Sequence, residues 1–223
     1  MMLPLAFFGD SHLMYFRSAA TRGLFGQRPI GMCEVPGATA VGLRNPNSAT
    51  NALQTFREAL GKLDPGTILV VHLGEVDCGF VIWYRAQKYG EPVQRQVEES
   101  LDAYFSFVDD ALAAGISRII VTGATLPTIR DGQNWGDVAN ARREVTASLR
   151  ERTELTLAYN QELRRRAEAR GLAFADISDE ALDPVTGVIR EGMRHPDPRN
   201  HHLDDSLAGL LWAARFNQSG LLS

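Results

Sequence analysis

With 223 residues, 44% hydrophobic and 22% charged, the chain has enough apolar material for one substantial core. Its net charge of -4 argues against a nucleic-acid partner or an anionic membrane surface. The start, MMLPLAFF, has no basic n-region and no apolar run approaches a membrane span, so a cytoplasmic location is expected.

Residues 3–8, LPLAFF, form a short uncharged run of the composition expected for a strand buried on both faces. The run ends in Gly9-Asp10-Ser11-His12. Gly9 permits a sharp turn, and Asp10 or Ser11 can cap a helix reaching Arg22. A serine so placed sits where amide N–H groups converge and the helix dipole favours negative charge. The plainer alternative is that both polar residues only cap.

Residues 29–35 read as a second strand, ending at Pro36-Gly37-Ala38-Thr39-Ala40. A turn with an N-cap at 45–48 precedes a helix whose inner face is Leu53, Phe56 and Leu60 and which Gly61 stops. TILVVHL at 67–73 is the clearest buried strand, and Gly74-Glu75-Val76-Asp77 follows its carboxyl end. Residues 81–92 have no clean period and suit a loop or short helix. Val93, Val97, Leu101, Phe105, Val108 and Leu112 then step by three and four to a helix end at Gly115.

A fourth strand at 118–122 opens into a long loop at 123–137, a length more often functional than accidental. Arg130 and Trp135 in this loop, or Trp83 and Tyr84 in the earlier 81–92 stretch, are lid candidates, with rim packing as the plainer role. Residues 138–170 are helical in pattern, as one helix or two broken near Thr153, with Val145, Leu149, Tyr159, Leu163 and Ala167 facing inward. The run Arg164-Arg165-Arg166 is flanked by Glu162 and Glu168 and reads as a solvated helix face. A fifth strand at 172–177, a Pro- and Gly-containing tail at 183–200 and a last helix with Leu207, Leu210, Leu211 and Trp212 complete the chain.

This βα alternation predicts a three-layer α/β/α sandwich on a roughly five-stranded parallel sheet, flavodoxin-like, as one domain over residues 1–223. Sites in such sheets lie at the carboxyl ends of the strands, where Ser11, Gly37, Glu75, Asp77 and Gly123 gather. A serine hydroxyl needs a base, usually histidine, and donors for the oxyanion. Of five histidines, His72 lies within a core strand and reads as structural. His12 is expected to point away from the hydroxyl, while His195, His201 and His202 lie in a tail that can return to the site edge.

Gly9-Asp10-Ser11, Gly37 after the second strand, Gly74-x-x-Asp77 after the third and a late histidine before Leu203 together resemble the SGNH, or GDSL, hydrolase superfamily over nearly the whole chain. The resemblance implies a Ser-His hydrolase of acyl esters, commonly acetyl groups on carbohydrates or lipid esters, that needs no metal or organic cofactor. It implies Ser11 as nucleophile and oxyanion donor, Gly37 as a second oxyanion donor and His202 as base.

Two departures stand out. The family's third block carries asparagine, whose amide completes the oxyanion hole, where this chain has Val76; losing one such donor costs about 3 kcal/mol of transition-state stabilisation. Glu75 can donate only when protonated. The family's acid, three residues before the base, is absent: Arg199 precedes His202 by three and Pro198 precedes His201 by three. Asp197 is then the nearest acid, with Glu75 or Asp77 as orienting alternatives, or an unassisted dyad with either His201 or His202.

Other roles remain for these groups. Asp77 suits a cap, and Glu75 suits a partner for Arg44 or Arg85. Grouping Asp10, Glu75, Asp77 and His202 around a metal has no local spacing in its favour. Cys33 and Cys78 flank the first strand in the usual strand order, too far apart for a disulfide, although Cys78 lies beside the site. The expected function is an esterase acting on a small-molecule or carbohydrate ester through Ser11. The alternatives are an acyltransferase using the same serine, a catalytically weakened binding or scaffold protein, and a phosphate- or nucleotide-binding module, which lacks a Gly-rich cradle.

Overall fold

A computed structural model describes residues 2–133 and 143–222 of the chain. Five parallel strands form one sheet in the order β2-β1-β3-β4-β5. They are β1 (Leu5–Gly9), β2 (Ile30–Glu34), β3 (Ile68–His72), β4 (Arg118–Thr122) and β5 (Ala173–Ala175). Central β1 and β3 are buried along their full length, as their uninterrupted apolar runs require, whereas edge strand β2 is only partly covered.

Successive residues of β1 serve opposite faces. Ala6 and Phe8 join Phe56, Leu69, Val71, Leu101, Tyr104 and Phe107 in one core. Leu5 and Phe7 join Phe16, Ile68, Val70, Trp212 and Phe216 in the other. The first core is covered by α2 (Ala52–Leu60), α4 (Val93–Ala113) and α5 (Leu149–Glu168), and the second by α1 (Met14–Thr21) and α7 (Asp205–Gln218). Between them lie α3 (Ile82–Tyr89) and the single turn α6 (Ser178–Ala181). The three-layer sandwich predicted from the alternation is therefore the observed fold.

Local differences have physical causes. Periodicity alone carries the helix after β4 back to residue 138, yet α5 begins at Leu149, because the Ser148 side chain accepts the Glu151 N–H while Glu151 reaches back to the Ser148 N–H. No break occurs at Thr153, whose hydroxyl donates to the Leu149 carbonyl at 2.7 Å and lets the β-branched residue sit inside the helix. Val145 precedes the helix and is half-buried, while Trp135 and Val138 lie outside the described residues. Residues 77–81 form a π-helical turn that leads into α3, so the aperiodic stretch is helical. The arginine run is ion-paired at the surface, with Arg165 on Glu162 and Arg166 on Glu98 and Asp102.

Helices α1 and α7 lie close enough that a side chain at Gly209 would place its Cβ 2.7 Å from the Tyr15 carbonyl oxygen and 3.2 Å from the Ala19 nitrogen. Both obstacles are backbone, so they cannot swing aside. Gly209→Ala is expected to push α7 off α1 and cost about 1–3 kcal/mol, read as a lower urea midpoint; an unchanged midpoint would contradict this packing.

Candidate functional site

The carboxyl ends of β1 and β3 build the floor of the site. Asp10, directly after β1, accepts the His12 N–H on Oδ1 at 2.9 Å and opens a 3-10 turn, Ser11–Leu13, that leads into α1. This Asx cap fixes Ser11 at the first position of the turn. The opposing wall comes from the tail before α7. There Leu203 is buried, donates its N–H to the Tyr15 hydroxyl at 3.0 Å and bridges to Arg194, while the Thr128 hydroxyl donates to the His201 carbonyl. The tail thus returns to the serine, as the topology allows.

His202 Nε2 lies 2.9 Å from Ser11 Oγ. Its Nδ1 lies 2.7 Å from Asn200 Oδ1, which also accepts the His202 backbone N–H at 3.0 Å. A backbone N–H can only donate, so the shared Asn200 atom is the amide oxygen, and Nδ1 must carry the proton. Nε2 then presents its lone pair to the Ser11 hydroxyl. Burial first, then the neighbouring His12 and His201, push the His202 pKa down to about 3, with Glu75 and Asp10 opposing. The imidazole is consequently neutral at pH 7.

Asp197 does not occupy the orienting position. It is half-exposed, and its carboxylate receives the Arg199 backbone N–H and guanidinium at 3.0–3.1 Å. Its own N–H donates to His195 Nδ1 at 3.0 Å, so His195 also faces the tail rather than the serine. The group on His202 Nδ1 is instead Asn200, a neutral amide two residues before it. Its signal in the sequence is the Asx turn, in which the side-chain oxygen takes the N–H of the second residue on. His201 is half-buried, with its ring 4.0 Å from that of His202.

His12 is buried beside His202. Its Nδ1 lies 2.8 Å from Asp10 Oδ1, its Nε2 lies 3.8 Å from Glu75 Oε2, and its ring stands edge-on to His202 at 4.7 Å. Burial alone would raise the Asp10 carboxyl, but His12, through charge and hydrogen bonds, holds it below the ordinary carboxylate range. Glu75 pairs with neither Arg44 nor Arg85, both of which reach Glu99. His72 is structural, its Nδ1 on the Thr122 hydroxyl at 2.7 Å and its pKa pushed down to about 3, chiefly by burial.

Asp77 neither orients the imidazole nor caps its own segment. Fully buried, it accepts the N–H groups of Ala40 at 2.7 Å and Val41 at 3.0 Å and the Ser100 hydroxyl at 2.8 Å. Burial pushes its carboxyl up, against these three donors. Asp77 thereby clamps the loop after β2, in which Gly37 takes a left-handed φ of 73°. Val76 is half-buried beside it. Cys78 is buried, and burial pushes its thiol well above the ordinary range, so it is a packing residue. Trp83 donates to the Cys78 carbonyl and Arg130 pairs with Glu191, both rim contacts.

No protein-family model and no curated protein matches the chain. Solved structures do. A GDSL-like lipase from Bacteroides thetaiotaomicron superposes with a TM-score of 0.61 at 14% identity, covering 97% of this chain and 86% of the lipase. An acetyl xylan esterase gives 0.61 at 14% identity over 97% of this chain and 99% of its own. A gut microbial diltiazem-metabolizing enzyme gives 0.59 at 17% identity, covering 98% of this chain and 47% of the enzyme. The chain has the fold of the GDSL, or SGNH, hydrolases.

Proposed function

We propose that this protein is a serine esterase that cleaves acyl esters, acetyl esters above all, of a small-molecule or carbohydrate substrate through an acyl-enzyme on Ser11. The observation that carries this reading is the Ser11 Oγ–His202 Nε2 contact of 2.9 Å with Asn200 on the other ring nitrogen. A nucleophile, a base in the correct tautomer and an orienting group in series are what acyl transfer requires. The likeness to an acetyl xylan esterase and a GDSL-like lipase supports the same chemistry.

In this reading Nε2 takes the Ser11 proton as Oγ attacks the acyl carbonyl carbon. The backbone N–H groups of Ser11 and Gly37 face the oxygen as it becomes negative. Collapse of the tetrahedral intermediate breaks the bond to the alcohol, which leaves with the proton from His202. Water, deprotonated by the same nitrogen, then releases the acid and restores Ser11. A sugar hydroxyl in place of that water makes the acyltransferase variant.

Val76 favours a second reading, a binding protein with weakened chemistry, because valine offers no donor where the family has an amide. The two readings separate on Ser11. A fluorophosphonate is expected to form a single adduct on Ser11 and none in Ser11→Ala, which also loses hydrolysis of p-nitrophenyl acetate while keeping its fold by circular dichroism. Hydrolysis retained in Ser11→Ala sinks the esterase reading, and ligand-induced thermal stabilisation without an adduct favours the binding protein.

Asn200→Ala is expected to lower kcat/KM about 10–100-fold, part of the roughly 100–10,000-fold that general-base catalysis supplies, whereas Asp197→Ala leaves it unchanged. The reverse pattern would return the orienting role to Asp197.

Protonated His202 cannot accept the serine proton, so activity falls only as pH drops through its pKa. With that pKa depressed, kcat/KM measured in EDTA should hold its plateau well below the ordinary imidazole value of about 6.5. A half-maximal point near 6.5 would contradict the buried, neutral base.

A further inference from the structure

Three histidines converge beside Ser11, and the esterase reading uses only one of them. His12, His201 and His202 each bring a ring nitrogen to within 4.8 Å of the others. Their ring centroids lie 4.0 Å apart for His201 and His202, 4.7 Å for His12 and His202, and 5.9 Å for His12 and His201. Nitrogens bound to one tetrahedral zinc at 2.0–2.1 Å are about 3.4 Å apart, so the set needs to close by little more than an ångström. His201 and His202 are half-buried tail residues whose side chains can make that adjustment, and they leave a path from solvent.

The surroundings fit a cation. Asp10 holds His12 Nδ1 at 2.8 Å, which orients Nε2 outward as a carboxylate does behind a metal-bound imidazole. Glu75, with Oε2 at 3.8 Å from that same Nε2, places a second carboxylate beside the set. Three imidazoles with a carboxylate select zinc, copper or nickel over magnesium and calcium. Asp77 belongs to another network, so this set differs from the grouping of Asp10, Glu75, Asp77 and His202, which has no local spacing in its favour.

We propose that His12, His201 and His202 form a binding site for a divalent transition-metal ion, zinc in particular, whose occupation excludes the Ser11–His202–Asn200 relay. Both nitrogens of His202 are engaged in that relay, Nε2 by Ser11 and Nδ1 by Asn200. A metal must displace one of them, and loss of either disables the base. Zinc therefore acts as a reversible off-switch. The inhibitory half rests on the serine-hydrolase reading; the binding half does not.

The test uses full-length protein stripped with EDTA and titrated with Co²⁺, whose intense visible d–d bands report a tetrahedral site. One equivalent is expected to bind, to be displaced by Zn²⁺, and to be lost in His201→Asn, a half-exposed substitution that leaves the core untouched. In parallel, one equivalent of Zn²⁺ should slow fluorophosphonate labelling of Ser11 at least tenfold, EDTA should restore it, and labelling of His201→Asn, whatever its rate, should not respond to zinc. Absence of stoichiometric binding, or equal binding by His201→Asn, overturns the site. Binding that leaves labelling unslowed overturns the exclusion. Binding to a protein whose Ser11 never labels upholds the metal site and removes the inhibitory half together with the esterase reading.

Discussion

A side chain at position 9 would place its Cβ 2.2 Å from the His72 carbonyl oxygen, so β1 and β3 can stay paired to their carboxyl ends only with glycine there. That backbone approach is the constraint on which the site depends. It delivers Asp10 and Glu75 to the same edge, one strand apart, and it ends β1 early enough for Asp10 to turn the chain and seat Ser11 at the start of a helix. On the neighbouring side, Asp77 draws the loop after β2 inward through two amides 36 and 37 residues away in sequence. A buried carboxylate deprived of these donors would cost several kcal/mol. The loop that carries Gly37 is accordingly held to the sheet edge by Asp77.

What the sequence reveals and what it conceals divide along the same physical line. β1, β3 and β4 are legible because a strand buried on both faces must be apolar throughout. α4 is legible because its apolar stripe repeats over five turns. The start of α5 is set by a capping box at Ser148 and Glu151, a local signal that overrides the apolar periodicity running back through Val145. The π-helical turn at 77–81 has no such local signal, since it forms where Asp77 is held by the loop after β2 and by Ser100. Counting three residues back from His202 or His201 reaches Arg199 or Pro198 and leaves Asp197 as the nearest acid, but the tail is a sequence of side-chain-stabilised turns, and turn chemistry rather than count decides which side chain reaches the imidazole. Asp197 is taken by Arg199, and Asn200 is left facing His202.

An asparagine in that place changes the electrostatics of the base. It fixes the tautomer and ring direction as well as a carboxylate does, but it brings no negative charge. At an effective dielectric of about 20, a carboxylate about 4 Å from an imidazolium is worth about 4 kcal/mol, against about 1 kcal/mol net for a neutral hydrogen bond. The negative charges of the site, Asp10 and Glu75, stand instead around His12. They oppose the depression of the His202 pKa without overcoming burial and the two neighbouring imidazoles.

In the esterase reading, a weakly basic imidazole and an oxyanion hole short of one side-chain donor would weaken the same quantity, the charge stabilisation available as a tetrahedral intermediate forms. For a serine esterase built this way, the remaining contribution to rate must come from how the substrate is held, because binding energy from parts remote from the scissile bond can offset orientation and desolvation at the reacting carbon. The rim supplies the means. A cavity of about 130 Å³ adjoins Asn200 and His201, bordered by Thr128, Arg130, Glu191 and Arg194. Its walls are the loop after β4 and the tail that carries the base, tied together by Arg130 to Glu191 and by Arg194 to the Thr128 carbonyl. A group seated between those walls would brace the tail against the sheet edge and so hold His202 on Ser11. Recognition and catalysis would then share one set of contacts.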